Sequence, residues 1–227
     1  MTLETLIALA TFAVATSVTP GPNNLMLLAS GVNFGFWRTV PHMLGISIGF
    51  GFLIFSVGSG IGALVAINPN FHLILKVLGA TYLLYLAWRI ATSTGIGQGN
   101  SKSRPMNFLE AAAFQWVNPK AWSMALSAIA LFSDPEGTLW SVGLLSAVFV
   151  GCNFPSVMVW TGFGTVMQRF LSNPTRLRVF NITMGILLAL TVIIVVRWGQ
   201  TALSSALWMK RFEFWALIRA CVIQVGA

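Results

Sequence analysis

Apolar residues run in long stretches along this chain, and polar residues are concentrated in the short segments between them. About 20 consecutive apolar residues are enough for a helix to cross the hydrocarbon core of a bilayer. The pattern therefore predicts six membrane-spanning helices joined by short loops. The predicted spans are 3–28, 40–66, 70–91, 108–132, 138–164 and 178–198.

Two of these predicted spans are interrupted by proline. Thr19-Pro20-Gly21-Pro22-Asn23-Asn24 breaks the first span, and Asn118-Pro119-Lys120 breaks the fourth. Proline has no backbone N–H and clashes with the carbonyl one turn earlier, so each motif frees backbone polar groups at membrane depth. Such groups must be buried in protein or line a wet cavity. A pair of broken helices in corresponding positions is typical of the binding site of a secondary transporter.

The order of the spans predicts an internal repeat. Broken helices come first and fourth, which suggests one three-helix unit over about 1–95 and a second over about 106–200. An odd number of spans per unit makes the second copy enter the membrane from the opposite side, giving an inverted repeat. The expected fold is thus an all-α polytopic membrane protein with a transmembrane domain over 1–200. Four glycines of the second span are predicted to let helices pack closely: Gly45, Gly49, Gly58 and Gly62.

Composition leaves little room for other classes of protein. Apolar residues make up 56% of the chain and charged residues 8%, against roughly 25% charged in a soluble domain. No stretch is left for a soluble catalytic or nucleic-acid-binding domain. The excess of 13 Lys+Arg over 5 Asp+Glu follows topology instead. The cations follow spans one, three and five (Arg38; Arg89, Lys102, Arg104; Arg169, Arg176, Arg178), which predicts that these loops are cytoplasmic and that the N-terminus is outside.

The tail over 201–227 carries Lys210, Arg211 and Arg219 among aromatic residues. This mixture predicts an interfacial amphipathic segment on the membrane surface. A seventh crossing is disfavoured because it would bury Lys210, Arg211 and Glu213 in lipid.

The broken motifs also carry a family resemblance. Thr19-Pro20-Gly21-Pro22-Asn23-Asn24, Gly45 and Gly49, Tyr82-Leu83-Leu84-Tyr85-Leu86-Ala87-Trp88, and Asn118-Pro119-Lys120 together resemble the LysE/RhtB family of bacterial amino-acid exporters. The resemblance covers about residues 3–200. It implies export of amino acids or close derivatives across the cytoplasmic (inner) membrane, driven by the proton gradient.

An amino acid offers a carboxylate and an ammonium, and a broken helix can bind both. Free N–H groups just after a break suit the carboxylate, and unwound carbonyls just before it suit the ammonium. Asn23 and Asn24 can donate and accept at once, although capping of the following helix is an equal alternative. The residues predicted to shape or line the substrate site are Pro20, Gly21, Pro22, Asn23, Asn24, Asn118, Pro119 and Lys120.

Three charged or polar residues of the fourth span have a functional and a structural interpretation. Lys120 is a cation inside a span, so we expect it to bind the substrate carboxylate, the alternative being a stem that reaches the membrane surface. Asn118 either holds the broken backbone or touches substrate. Glu110 is the one acidic residue near the apolar part of a central span and thus the candidate for proton coupling, unless it pairs with Lys102 or Arg104.

Other chemistry is not indicated. The chain has no Ser-His-Asp order and no HExxH motif, so we expect neither an enzyme nor a cofactor. Cys152 and Cys221 form no metal or disulfide pattern, and His42 and His72 are predicted to be interfacial residues rather than ligands. Two rival functions stay open: a non-transporting assembly protein, which would use the glycine surfaces to associate, and a passive channel. Protons, lipid, an amino acid and a second copy of the chain are the expected partners, and nucleic acid is not.

Overall fold

A computed structural model of the 227-residue chain describes residues 1–62, 69–93, 104–133 and 139–193, with only the backbone described for 69–72. The predicted interfacial tail, 201–227, lies outside these residues, as does Lys102. All regular structure in the described part is helical. The all-α class predicted from the apolar stretches is confirmed.

Eight helices account for most of the described residues. They are α1 (Leu3–Val18), α2 (Pro22–Phe34), α3 (Phe36–Ser56, continued by a π-helical turn over Val57–Ile61), α4 (Pro69–Ala91), α5 (Phe108–Gln115), α6 (Pro119–Phe132), α7 (Leu139–Phe170) and α8 (Pro174–Ile193).

Within the described residues, four continuous segments are long and apolar enough to cross a membrane: Phe36–Ile61, Leu73–Ala91, Leu139–Phe170 and Pro174–Ile193. The pair α1 and α2 makes a fifth crossing if taken together, bent by 58° at its break. α5 and α6 are shorter, at 8 and 14 residues, and meet at the second proline motif. The protein is therefore a multi-pass membrane protein. Among the described helices, a broken pair is followed by two long helices, and this order occurs twice. The order is compatible with the inverted repeat, and that symmetry stays a prediction.

Some of the predicted spans are too short, because each apolar stretch was taken to end where polar residues begin. The first predicted span ends at residue 28, whereas α2 continues to Phe34. Its polar residues there are buried and bonded: Ser30 shares a 2.9 Å hydrogen bond with Thr39, and Asn33 donates to Asn181 over 2.7 Å. Polar side chains that pair with another helix continue a buried helix without exposing a donor to lipid.

α7 is the centre of the bundle, and it packs against α1, α2 and α3. α2 and α7 approach closely at two glycines, because a Cβ on Gly31 would lie 3.2 Å from the Cα of Gly164, and a Cβ on Gly164 would lie 3.2 Å from the Cα of Gly31. Without side chains at these positions the backbones of α2 and α7 come into direct contact. Dispersion between close backbones is the main attraction left to helices in lipid, where apolar burial gives no driving force.

α3 packs against α5 through the first two predicted packing glycines. A Cβ on Gly49 would lie 2.5 Å from the Cα of Ala112, and one on Gly45 would collide with the carbonyl oxygen of Phe108. Gly58 faces side chains of α6 and α7. At Gly62 the nearest atoms belong to Val57 of the same helix, and the neighbouring helix is only in ordinary contact.

We expect Gly49→Ala to destabilise the protein. The added methyl group meets the backbone of α5, which cannot move aside as a flexible side chain would, and such overpacking costs about 1–3 kcal/mol. The thermal unfolding midpoint of the full-length protein in detergent measures the effect. Gly151→Ala is the control, because a Cβ there has no neighbour within 4 Å. Equal midpoints for the two variants would contradict close packing at Gly49.

Candidate functional site

The two helix breaks lie against each other. Asn23, in the first turn of α2, donates from Nδ2 to Oε1 of Gln115 at the end of α5 over 2.8 Å, and Gln115 Nε2 returns a bond of 3.3 Å to Asn23 Oδ1. Gln115 is fully buried and also donates to the Ala111 carbonyl. This reciprocal amide pair joins residues 92 positions apart in the chain. It links the start of one half-helix to the end of another.

Lys120 crosses from the second break to the first. Its Nζ donates to the Thr19 carbonyl oxygen over 2.6 Å and to Thr19 Oγ1 over 2.8 Å. Gly21 makes room for its stem, because a Cβ there would lie 2.8 Å from Lys120 Cδ. The ammonium thus satisfies a carbonyl that the first break frees, rather than reaching along its own helix to the membrane surface.

The neighbouring asparagines do not cap α2 as N-cap residues. Pro22 is the first residue of α2, so Gly21 takes the N-cap position, and no side chain bonds there. Asn24 turns back and donates to the carbonyls of Ser17 and Thr19, over 2.8 and 2.9 Å. N-capping of α2, the structural alternative for these two residues, is therefore not observed, since proline at 22 moves the cap position before them.

Asn118 caps the second break. Its Oδ1 accepts from the backbone N–H of Lys120 over 3.1 Å, with Pro119 as the first residue of α6. Of the two roles predicted for Asn118, this contact is the structural one. Trp122 adds a second tie, because its indole Nε1 donates to the Trp116 carbonyl over 2.8 Å.

A small polar cavity lies between the breaks. Its volume is about 20 Å³, which holds about one water molecule. An amino acid does not fit in a cavity of this size. The lining residues come from both breaks, α3 and α7: Thr16, Ser17, Gly21, Asn23, Asn24, Ile46, Phe50, Gln115, Asn118, Lys120, Ala121, Met124 and Asn153.

Sequence reasoning missed Gln115 and Ser17 in this cavity. Asn153 of α7 joins three helices, because it accepts from Ser47 of α3 over 2.9 Å and donates to Ser17 Oγ of α1 over 3.1 Å. The signal for Gln115 was present, since it is a polar residue one turn before Asn118. A buried amide at that depth needs a partner, and nothing in the sequence names Asn23 as that partner.

Glu110 lies away from the breaks, at the start of α5. Its carboxylate accepts from both Nη atoms of Arg104, at 2.8 and 2.5 Å, and from the Asn107 backbone N–H. Asn107 in turn accepts from the Glu110 N–H, which completes a capping box. The pairing with Arg104 that the sequence offered as an alternative is confirmed. A role for Glu110 in proton coupling stays a prediction.

Comparison with known proteins decides the family. The model of the LysE type translocator family matches residues 14–197, most of the chain. The chain belongs to the LysE family. As a translocator, this LysE family protein is a transporter and not an enzyme. Within the described residues no three His, Cys, Asp or Glu side chains are grouped to hold a metal.

Two similar proteins are described as "Cysteine/O-acetylserine efflux protein". The one from Escherichia coli (strain K12) is 32% identical over 191 residues, covering 83% of this chain and 95% of the relative. The one from Salmonella typhimurium (strain LT2) is 31% identical over 172 residues, covering 74% and 87%. No solved structure matches the chain significantly.

We expect Asn23 and Gln115 to be energetically coupled. Asn23→Ala or Gln115→Ala leaves the other amide buried without its partner, at a cost of about 1–3 kcal/mol, whereas the double variant loses less than the sum of the two. Thermal unfolding of the four proteins in detergent gives the coupling. Gln168→Ala, near the end of α7, is the control. Additive losses would show that the two amides do not interact.

Proposed function

We propose that this LysE family protein exports amino acids or close derivatives across the bacterial cytoplasmic membrane. Cysteine and O-acetylserine are the first substrates to test, because the relatives are described as efflux proteins for them. Both compounds are small zwitterions at neutral pH. The contact that carries the proposal is the hydrogen bond from Lys120 to Thr19, which places a cation between two helix breaks.

The substrate carboxylate binds at the start of α2. No side chain caps this N-terminus, so its first N–H groups and the positive end of its dipole are left for an anion. Lys120 Cδ and Nζ lie within 3.2 Å of the position that a Cβ on Gly21 would take, so the ammonium is beside the same terminus. Together they offer a carboxylate a charged donor and backbone donors in one place.

The substrate ammonium binds the carbonyl side of the first break. The Ser17 and Thr19 carbonyls point to this region, where the amide of Asn24 now holds them. Asn23 and Gln115 add neutral oxygens. A site of amides and carbonyls holds a zwitterion without burying a fixed negative charge, which would be costly at membrane depth.

Transport follows from exchange of partners. The cavity of about 20 Å³ must widen before an amino acid enters it. In our proposal Lys120 leaves Thr19 for the substrate carboxylate, which loosens the tie between the two breaks. The halves of the protein then rock about the site, opening it to one side of the membrane and then to the other. In this arrangement the loops after spans one, three and five are cytoplasmic, and the N-terminus is outside.

Proton antiport drives the export in this proposal, with Glu110 as the candidate carrier. Glu110 is tied to Arg104 in the present conformation. For the carboxylate to take up a proton, its ion pair with Arg104 would have to open during the cycle. A passive channel would need no such step and would not saturate.

Efflux from bacteria loaded with dipeptides tests the proposal. Expression of the protein should speed the appearance of cysteine or O-acetylserine outside the cells, and collapse of the proton gradient should remove the gain. Lys120→Ala should lower the initial rate about tenfold or more, because a lost charged hydrogen bond is worth about 1.5–3 kcal/mol. Asn23→Ala should also lower it.

Lys76→Ala is the matched control, because it removes a lysine that lines neither break. All variants are compared at equal membrane expression. Full efflux in Lys120→Ala and Asn23→Ala would keep the transporter and disprove the site. If expression of the protein does not change efflux, the non-transporting assembly protein is favoured. If efflux does not saturate and continues without a proton gradient, the passive channel is favoured.

Glu110→Gln tests proton coupling separately. Glutamine keeps the capping box but cannot take up a proton from a carboxylate or pair with Arg104 as an anion. We expect efflux down a substrate gradient to continue, while its stimulation by an outside-acid pH gradient is lost. Glu4→Gln, at the start of α1, is the control. If the stimulation survives in Glu110→Gln, the carrier is another group.

A further inference from the structure

A second and much larger cavity lies between α2, α3, α4 and the segment before α5. Its volume is about 500 Å³, within the roughly 300–1,000 Å³ of small-molecule sites. It shares no lining residue with the cavity at the breaks. Its polar wall includes His42, Asn33, Ser93, Arg89 and Arg104.

His42 was predicted to be interfacial, and this was wrong. It is only 2% exposed, because it lies in the second turn of α3, on the face that packs into the protein. Both ring nitrogens are buried and have no hydrogen-bond partner. Buried polar groups in proteins nearly always have one, so an imidazole without any needs an explanation. A polar ligand in the cavity can supply the partner after a rotation of the ring.

Arg89 lines the same cavity, and no carboxylate of the described residues forms an ion pair with it. Its Nη2 donates to the Arg104 carbonyl over 3.1 Å, and its guanidinium lies 5.8 Å from the centre of the Tyr85 ring. Arg104 differs, since Glu110 holds it in a two-bond ion pair. A guanidinium has five N–H donors in a plane that matches a carboxylate. Arg89 is thus equipped to bind one.

We propose that this cavity is a second substrate site, in which Arg89 binds the carboxylate of the exported amino acid and His42 a polar group of its remainder. The proposal rests on the proposed function. Loop charges predict that Arg89 and Arg104 lie at the cytoplasmic side, so substrate occupies this cavity before it reaches the breaks. The charged residues that line the cavity, Arg89 and Arg104, are both cations. The cavity therefore favours neutral over cationic amino acids.

Protection of a cysteine reporter tests the site in the full-length protein reconstituted in vesicles. The background carries Cys152→Ser and Cys221→Ser. The reporter is Thr92→Cys, an exposed residue on the cavity wall, and Thr175→Cys at the start of α8 is the control outside it. O-acetyl-L-serine should slow maleimide labelling of Thr92→Cys and not of Thr175→Cys. L-lysine should slow neither.

Substitutions then identify the ligands. Arg89→Gln should raise the O-acetyl-L-serine concentration for half-maximal protection about tenfold, as loss of a charged hydrogen bond predicts. Arg38→Gln, which removes an exposed arginine at the start of α3, should leave it unchanged. His42→Ala should also weaken protection, and His42→Gln, which keeps a donor and an acceptor, should restore part of it. Asn23→Ala should lower the efflux rate and leave protection unchanged, since it acts at the other site.

The outcomes separate this inference from the proposed function. Efflux of O-acetyl-L-serine without protection of Thr92→Cys overturns the second site and keeps the exporter. Protection without efflux keeps the site and overturns the exporter. Absence of both overturns both. Protection that depends on phosphatidylglycerol in the vesicles and not on the amino acid also overturns the site, because the cavity then holds a lipid headgroup.

Discussion

Every backbone polar group inside a bilayer needs a partner within the protein, and the organisation of this molecule follows from that constraint. Two proline motifs free carbonyls in the middle of spans, and side chains from other elements take them up. Asn24 and Lys120 bond the carbonyls at the end of α1, and Trp160 of α7 adds a bond to the Val18 carbonyl over 3.3 Å. Side chains from α2, α6 and α7 therefore meet at the first break.

The same bonds make this point suitable for transport. A carbonyl held by a lysine ammonium, or an asparagine paired with a glutamine, can exchange its partner for a substrate group of similar chemistry. The net free energy of one such hydrogen bond is about 0.5–1.5 kcal/mol, or about 1.5–3 when one group is charged. Differences of a few kcal/mol between conformations are what a ligand can shift. By contrast, the close packing of α2 against α7 at Gly31 and Gly164 involves no side chain that a substrate group could replace.

Each of the two cavities is lined by its own group of polar residues. The group at the breaks is internally bonded, and its cavity has room for about one water molecule. The group around Arg89 leaves His42 without a partner beside a space of about 500 Å³. The cavity at the breaks is too small for an amino acid, whereas the one beside His42 has the size of a small-molecule site.

The sequence by itself determined the membrane class, the all-helical fold, the two breaks and the family, because spans and breaks depend on local hydropathy and on proline's missing N–H. It also indicated Lys120, Asn118 and both asparagines as residues of the site. Only the tertiary structure decided their partners: Gln115 for Asn23, Thr19 for Lys120, and none for His42. Pairing is decided by which helix faces meet, and such contacts join residues as far apart as 92 and 101 positions. No local pattern records which distant residue completes a hydrogen bond.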